Sequence, residues 1–299
     1  MANNVWLGTT STAFGTGTNW SAGSAPTTGD NIIFDGRATQ GLVGSDQSAI
    51  TLASIRVYRS YAYDVGSTTT PLKIGATTVD LYLEPDGQTS GTGPSLIALD
   101  YYTIQNTTTV YNNARTVGSS GFPCVMLKGT HASNVLSVKG GTVGVGLFAP
   151  NEATTWSKIH VDGDAAYLVI GGGTTLTTLN QKRGKIKLYC AATTINQDGG
   201  ELETIGSGAI TTANISGKLI SNSTGTITTL YVNSAGVADF STSAISRTVT
   251  NCTIYGASSK IEADNNSALS ITFSNGVICS QGAKSNQVNM GDGVTVSFT

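Results

Sequence analysis

Charged residues are scarce in this chain of 299 residues, and several other signals are missing with them. Asp, Glu, Lys and Arg make up 11% of the sequence, whereas about a quarter is usual for a soluble domain. The 16 basic and 18 acidic side chains form no basic cluster, so neither nucleic acid nor a membrane surface is expected as a partner. No apolar run approaches the roughly 18 residues that span a bilayer. The segment from Met1 to Gly8 has neither a basic start nor an apolar run, which predicts no secretory signal and assembly in the cytoplasm.

Motifs for catalysis and for tightly bound cofactors are also missing. The nucleophile-elbow, phosphate-loop and zinc-protease patterns do not occur. The four cysteines are Cys124, Cys190, Cys252 and Cys279. They form no closely spaced pair of the kind that zinc sites use, and Cys190 and Cys279 end apolar runs, which predicts small buried side chains. His131 and His160 have no second ligand or nucleophile at motif spacing. We therefore predict no enzymatic activity, no cofactor and no metal.

Three pairs of carboxylates are the strongest candidates for chemistry, because polysaccharide-degrading β-helices use two or three acids. The pairs are Asp162/Asp164, Glu201/Glu203 and Glu262/Asp264. On a strand, the i, i+2 spacing puts both acids on one outer face, which favours solvated surface charge. The run from Val161 to Asp164 has two acids in a loop-like sequence, but it lacks the further oxygen ligands that a calcium loop needs.

Apolar residues alternate with polar ones, and helical periodicity is absent. No segment keeps apolar residues at i, i+3, i+4 and i+7 over three turns, and Gly or Thr interrupts nearly every window. Val79, Leu81 and Leu83 instead alternate with polar residues and precede the turn sequence Pro85-Asp-Gly87. The sequence therefore predicts an all-β protein.

The second half of the chain repeats this alternation at the spacing of a solenoid coil. Each repeat has a small residue, an outward side chain, an inward apolar residue and usually an outward polar residue. The inward residues are Ile186, Leu202, Leu219, Ala238 and Ile261, at short intervals that lengthen towards the C-terminus. Second strands are predicted at 193–196, 209–212, 226–230, 244–247 and 268–272, and third strands at 251–255 and 275–279. Parallel stacking of these coils predicts that the five inward residues share one interior column.

The outward residues provide a test of this register, because the apolar pattern does not determine them. Stacking puts Lys185 beside Glu201 and Lys187 beside Glu203, and Lys218 follows on the next coil. Opposite charges on neighbouring strands contribute ~0.2–1 kcal/mol per pair. The alternative fold is a β-sandwich, whose hairpins would require regular Asn-Gly or Asp-Gly turns, and such pairs are few here. We predict a parallel β-solenoid over residues 51–299.

Residues 1–50 are predicted to form a cap or attachment segment, because the end of a solenoid leaves unpaired backbone and an open core. The segment contains Val5-Trp6, then Thr18-Asn19-Trp20-Ser21, and then Ala25-Pro26 followed by Gly29-Asp30-Asn31-Ile32-Ile33-Phe34. The predicted capping or attachment residues are Trp6, Trp20, Pro26, Asp30 and Phe34. Large amphipathic Trp rings suit that role.

This segment resembles the opening of β-helical surface proteins found in bacterial passenger-type repeats and in phage virion proteins. The resemblance implies a right-handed parallel β-helix with an exterior, structural role. The bacterial proteins are normally exported behind a signal, which is not seen here, so the expectation moves to a phage virion protein. Specifically, we expect a homotrimeric capsid decoration or head-attached protein whose partners are the major capsid protein or other virion proteins. The alternatives are a tail spike or fibre that binds host polysaccharide, and a bacterial surface adhesin.

Tyrosines are concentrated in the first part of the chain. They are Tyr58, Tyr61, Tyr63, Tyr82, Tyr101 and Tyr102. Tyr buries a large area while keeping a polar tip, so this region could provide a sugar-stacking or protein-binding surface. The other interpretation is that these side chains stand on ordinary outer strand faces, and the sequence leaves both open.

Overall fold

The computed structural model describes residues 3–82, 96–111, 123–242, 245–263, 270–280, 288–290 and 295–298. The protein is all-β, as predicted. Within this described part the only helix is a short 3-10 helix at Gly17–Asn19, and no helix there is long and apolar enough to cross a bilayer. The strands are β1 (Asn3–Trp6), β2 (Asn31–Phe34), β3 (Asp46–Val57), β4 (Leu72–Leu81), β5 (Ile97–Asp100), β6 (Thr107–Tyr111), β7 (Val125–Lys128), β8 (Val135–Val145), β9 (Thr154–Val161), β10 (Ala166–Ile170), β11 (Thr174–Gln181), β12 (Lys185–Leu188), β13 (Ala192–Gln197), β14 (Glu201–Gly206), β15 (Ile210–Ile215), β16 (Lys218–Ser223), β17 (Ile227–Val232), β18 (Val237–Asp239), β19 (Ser246–Tyr255), β20 (Lys260–Ala263), β21 (Ser270–Phe273), β22 (Val277–Ser280), β23 (Val288–Met290) and β24 (Thr295–Phe298).

The pairings between these strands are all parallel. From β8 to β21, each strand pairs with the strand two places away, so that one series contains β10, β12, β14, β16, β18 and β20. The other series contains β9, β11, β13, β15, β17 and β19. A β-sandwich is built from antiparallel pairs, so the described strands do not fit that alternative.

The second series divides in two at β19. The first half of β19 pairs with β21, and its second half pairs with β22. In β11 the pairing is interrupted at Thr177, between Leu176, which pairs with Ala192, and Thr178, which pairs with Thr194. The described strands from β9 to β20 therefore form two parallel ladders, and the second ladder divides into two after β19.

The predicted interior column is confirmed. Ile186, Leu202, Leu219, Ala238 and Ile261 are direct neighbours in successive strands. All five are at most 1% exposed. The column extends backward to Leu168 in β10 and Val143 in β8. At about 25 cal/mol for each Å² of apolar surface buried, such columns supply the main favourable free energy of the fold.

The alternation predicted in the first half is also present where it is described. Val79 and Leu81 are buried in β4, while Leu83 and the turn Pro85-Asp-Gly87 lie outside the described residues. The predicted second and third strands correspond to β13, β15, β17, β19, β21 and β22, although Ala244 and residues 268 and 269 are not described.

One hydrophobic core cluster joins the predicted cap to the rest of the chain. It contains Trp6 and Phe34 at one end and Phe273 at the other. β1 pairs with β2 and β2 pairs with β3, so the parallel pairing continues from the predicted cap into the first predicted coil. Residue 50, the predicted boundary, lies inside β3.

Glycine and buried glutamine together form the corner that precedes β12, β14 and β16. Gly184 and Gly200 both have φ of +76°, a conformation that side chains with a Cβ rarely adopt. Gln181, which is buried, donates from Nε2 to the carbonyl oxygens of Gly184 (2.9 Å) and Glu201 (3.0 Å). Gln197 repeats this one coil later with Gly200 (3.2 Å) and Lys218 (3.0 Å). The side-chain amides thus satisfy backbone carbonyls where the chain turns.

Of the two cysteines expected to be buried, one is exposed. Cys190 is 3% exposed, but Cys279 is exposed, so that prediction was wrong for Cys279. Cys279 pairs in register with the buried Ile254, so it occupies an inward position of β22. β22 is the last strand of its ladder within the described residues, and its inward positions therefore have a strand on one side only.

Replacing Gly200 with Ala is expected to destabilise the protein by about 2 kcal/mol or more, because the positive φ alone costs about 1–2 kcal/mol for an L residue. In addition, the new Cβ would lie 2.5 Å from the carbonyl oxygen of Gly184. The check is urea unfolding followed by far-UV circular dichroism. Gly15→Ala is the matched control, because a Cβ there meets no atom within 4 Å. Equal midpoints for the two variants would contradict the proposed role of the corner.

Candidate functional site

The N-terminal edge of the parallel pairs is closed by the chain itself. β1 pairs with β2 on one side, and the segment 19–24 runs along its other side. The amide of Ser21 donates to the carbonyl oxygen of Val5 (2.9 Å), and the amide of Val5 donates to the hydroxyl oxygen of Ser21 (2.9 Å). The amide of Leu7 donates to the carbonyl oxygen of Asn19 (2.7 Å). These bonds occupy backbone groups that would otherwise recruit another strand.

Asn19 holds this covering segment together. The side chain is fully buried and uses both ends of its amide. Its Oδ1 accepts from the amides of Thr10 and Ser11 (3.0 Å each). Its Nδ2 donates to the hydroxyl of Ser11 (2.9 Å) and to the carbonyl oxygen of Ala13 (3.0 Å). Asn19 is part of the N-terminal sequence motif but was not predicted as a site residue. Its position directly before Trp20 is the feature of the sequence that could have identified it.

Three of the five predicted capping residues meet in one aromatic cluster. The rings of Trp6 and Trp20 are 5.0 Å apart and edge to face, and Phe34 is 6.4 Å from Trp20. Phe14, which was not singled out from the sequence, lies 5.1 Å from Trp20. Both indole N–H groups donate to backbone carbonyl oxygens, from Trp6 to Gln40 (2.9 Å) and from Trp20 to Phe14 (2.7 Å). These aromatic rings are at most 2% exposed, so they cover the core and present no ring face to a partner.

The other two predicted residues, Pro26 and Asp30, lie in the turn that leads into β2. Pro26 is buried and Asp30 is half-buried. The Asp30 carboxylate accepts from the amide (2.9 Å) and the hydroxyl (3.0 Å) of Thr27, and Gly29 has φ of +89°. The Asp30 side chain therefore fixes the turn, so that β2 enters the ladder in register.

The predicted charge pairs on the outer face are present. Lys185 Nζ is 3.4 Å from Glu201 Oε1, and Lys187 Nζ is 3.6 Å from Glu203 Oε2. Lys218 is beside Glu201 in register, and its ammonium is 3.2 Å from Asp239. The pair Glu201/Glu203 is thus neutralised by lysines on the preceding strand, which favours a structural ladder over catalysis.

A second charge column lies in the first half and was not predicted from the sequence. Asp46, Lys73, Asp100 and Lys128 are direct neighbours in β3, β4, β5 and β7. Lys73 Nζ is 2.8 Å from Asp46 Oδ2. Lys128 Nζ is 2.8 Å from Glu152 and 3.8 Å from Asp100. The coils that carry these residues are longer than those of the second half, and they lack the short repeat that revealed the other column.

The remaining acidic candidates are surrounded by basic side chains or lie outside the described part. Asp162 is within 4.0 Å of Lys139, Lys182 and Arg183, and Asp164 contacts Arg183 (3.3 Å). Asp264 is not described, so the pair Glu262/Asp264 stays a prediction. A search of the described residues found no group of three or more His, Cys, Asp or Glu side chains placed to hold a metal ion.

A buried charge cluster joins β18 to β19. Asp239 is 4% exposed and accepts from the amide (2.9 Å) and the hydroxyl (2.6 Å) of Ser241. Burial alone would raise the pKa of Asp239, but the bonds from Ser241 and Lys218 outweigh it and hold the pKa below its usual value. Arg247 is buried nearby and donates to the carbonyl oxygen of Ile245 (2.9 Å). Burial lowers the pKa of Arg247 to about 10, so it stays protonated at neutral pH.

The tyrosines divide into core and surface groups. Tyr61 and Tyr101 are fully buried, and Tyr63 packs against Tyr61 (6.0 Å). Tyr102 is exposed, and the ammonium of Lys73 lies 4.6 Å from its ring centre. The surface group is a stack of Tyr58, Tyr82 and Tyr111, which we call the tyrosine stack. Its ring centres are 5.9 and 4.7 Å apart, with interplanar angles of 10° and 5°. Tyr111 was not among the tyrosines singled out from the sequence.

A polar column also runs along the outer face of β9, β11, β13 and β15. The Asn196 amide donates to Asn180 (2.9 Å), and the Asn214 amide donates to Asn196 (2.9 Å). His160 precedes Asn180 in register, with Nδ1 3.2 Å from the Asn180 amide nitrogen. A repeated tetrapeptide in the sequence could have predicted this column. It reads Thr-Thr-Leu-Asn at 177–180, Thr-Thr-Ile-Asn at 193–196 and Thr-Thr-Ala-Asn at 211–214.

Replacing Asn19 with Ala should destabilise the covering segment by about 1–3 kcal/mol, because it leaves buried hydrogen-bonding groups without partners. The measurement combines urea unfolding with limited proteolysis of the segment that precedes β2. Asn3→Ala is the control, since Asn3 is exposed and makes one side-chain bond, to Asn31. If both variants resist protease equally, Asn19 does not hold the cap.

Stability should depend on acid pH through Asp239. Its folded pKa is below its unfolded value of about 3.9, so its contribution is present above that pH and is lost as the pH falls through the folded pKa. Asp239→Asn should therefore be less stable than the natural protein at pH 7, and the difference should shrink at pH 3 and below. The comparison needs urea midpoints at both pH values. A difference independent of pH would show that the charge of Asp239 is not what stabilises the cluster.

Comparison of the chain with family models, curated proteins and solved structures found no match. No relative therefore supplies a fold name or an activity. The resemblance of the N-terminal motif to β-helical surface proteins stays a prediction.

Proposed function

We propose that the chain folds as a right-handed parallel β-helix closed by its N-terminal segment. The parallel ladders support this proposal, since each coil contributes one strand to each ladder in constant register. The right hand follows from the general preference of parallel strands for right-handed connections. Residues 1–50 supply the cap and residues 51–299 the coils.

The proposed role is that of a non-enzymatic structural protein displayed on the exterior of a phage particle, as a capsid decoration or head-attached protein. The observation that carries the proposal is the unbroken register from β8 to β20, with buried apolar columns inside and neutralised charge columns outside. Such a stack joins each coil to its neighbours by many backbone bonds.

Attachment is proposed through the N-terminal segment, with the major capsid protein or another virion protein as partner and a homotrimer as the assembled form. The aromatic rings of this segment are buried, so contact would use the outer side of the covering loop. Thr9, Thr10, Ser21, Ala22 and Gly23 are exposed there. Hydroxyls and short side chains of this kind suit a polar, hydrogen-bonded interface.

A second candidate function is that of a tail fibre or spike that binds host polysaccharide. The tyrosine stack favours it, because Tyr58 is 38% exposed at a surface cleft. The two functions are compatible, since a decoration protein can carry a glycan-binding face.

The proposed location can be tested on phage particles purified by density gradient from an infected host. Quantitative mass spectrometry should find this chain at a fixed copy number relative to the major capsid protein, and light scattering of the purified protein should give three times 30.6 kDa. A phage-encoded replication protein is the control, because it should be lost on purification. Absence of the chain from particles that retain the major capsid protein would refute the virion role, and a monomer mass would refute the trimer.

A further inference from the structure

The strand register explains why the tyrosine stack ends at Tyr58. Phe34 pairs with Val57, Val57 pairs with Leu81, and Leu81 pairs with Val110. The residue that follows each of these lies in one column, in the order Asp35, Tyr58, Tyr82, Tyr111. Aromatic rings fill three successive places, and the first place holds a carboxylate instead. The Tyr58 ring is stacked on Tyr82 on one side, and Asp35 lines the same cleft as Tyr58.

A cleft opens at this place. It has a volume of about 450 Å³ and is lined by Asp35, Tyr58, Arg59, Ser60 and Tyr82. This volume is within the usual range for small-molecule sites, about 300–1,000 Å³. Two tyrosine rings supply its apolar lining, and Asp35, Arg59 and Ser60 supply its polar groups. The pKa of Tyr82 is raised, by burial and by the charge of Asp80, so its phenol stays neutral at physiological pH.

Two polar groups that line the cleft, those of Asp35 and Ser60, are held in place before any ligand arrives. Arg37 contacts both carboxylate oxygens of Asp35, with Nε at 3.1 Å from each and Nη2 at 2.7 Å from Oδ2. This bidentate pair fixes the direction of a strong acceptor. The hydroxyl oxygen of Ser60 accepts from the amide of Gly36 (2.9 Å), which leaves its O–H to donate.

We propose that this cleft binds one neutral pyranose ring, stacked on Tyr58 and hydrogen-bonded at its edge by Asp35 and Ser60. A sugar ring has a C–H face that packs on an aromatic ring and an edge of hydroxyls that both donate and accept. The cleft presents the complement of each, namely an aromatic face, a fixed carboxylate acceptor and a hydroxyl donor. The ring would take the place in the column that an aromatic residue occupies on the next three strands. This inference goes beyond the structural role, and its failure would leave that role unaffected.

The test is saturation-transfer NMR with the full chain and four probes, the methyl glycosides of glucose, galactose, mannose and N-acetylglucosamine. At least one should receive saturation on its ring C–H protons with a millimolar Kd. Tyr58→Ala should weaken that binding by about tenfold, whereas Tyr58→Phe, which keeps the ring, should stay within about twofold. Tyr102→Ala is the matched control, because Tyr102 is an exposed tyrosine outside the cleft and its removal should change nothing. Circular dichroism verifies that each variant is folded.

Two results would overturn the proposal. One is that none of the four glycosides binds, including the case in which N-acetyltyrosinamide binds in their place, which would assign the cleft to a protein side chain. The other is that a glycoside binds equally well to Tyr58→Ala and to the natural protein, which would place the sugar elsewhere.

Discussion

The parallel register between successive strands is the constraint on which the rest of the molecule depends. Because side chains alternate with period two, a slip of one residue between any two strands would turn a buried column out to solvent. Ile186, Leu202, Leu219, Ala238 and Ile261 stay aligned although the intervals between them lengthen along the chain. The added residues are therefore placed in turns and second strands, and the first ladder keeps its register.

The corners and the outer columns maintain this register in different ways. At the corner, a glycine with positive φ and a buried glutamine fix where β12 and β14 begin. On the outer face, lysine–glutamate pairs and hydrogen-bonded asparagines make a slip unfavourable without adding net charge. Each exposed ion pair is worth little by itself, but a misaligned coil would lose several of them together and place like charges side by side.

How much could be predicted from the sequence depended on whether the responsible residues recur at a short period. The interior column and the lysine–glutamate pairs were predicted correctly because they recur at short, nearly equal intervals in β12, β14 and β16. The charge column from Asp46 to Lys128 was not found, since its members lie in longer coils without that short repeat. Trp6, Trp20 and Phe34 were grouped by their order in the N-terminal motif, and their rings lie together. The exposure of Cys279 depends instead on the position of β22 at the end of its ladder. The cleft beside Tyr58 needs the register of three strands and could not have been located from a single motif.

The way in which the N-terminal edge is closed limits how a partner can attach there. An open edge strand would bind another chain through its backbone, with little dependence on side chains. Here the backbone of Val5 and Leu7 is already bonded to Ser21 and Asn19. The indoles are buried as well, so β1 offers a partner neither an open backbone edge nor an exposed indole. Under the proposed attachment, recognition at this end would therefore be made by the exposed short polar side chains of the covering loop. An interface of that kind is specific because it requires matched hydrogen bonds, and it leaves the core closed whether or not the partner is bound.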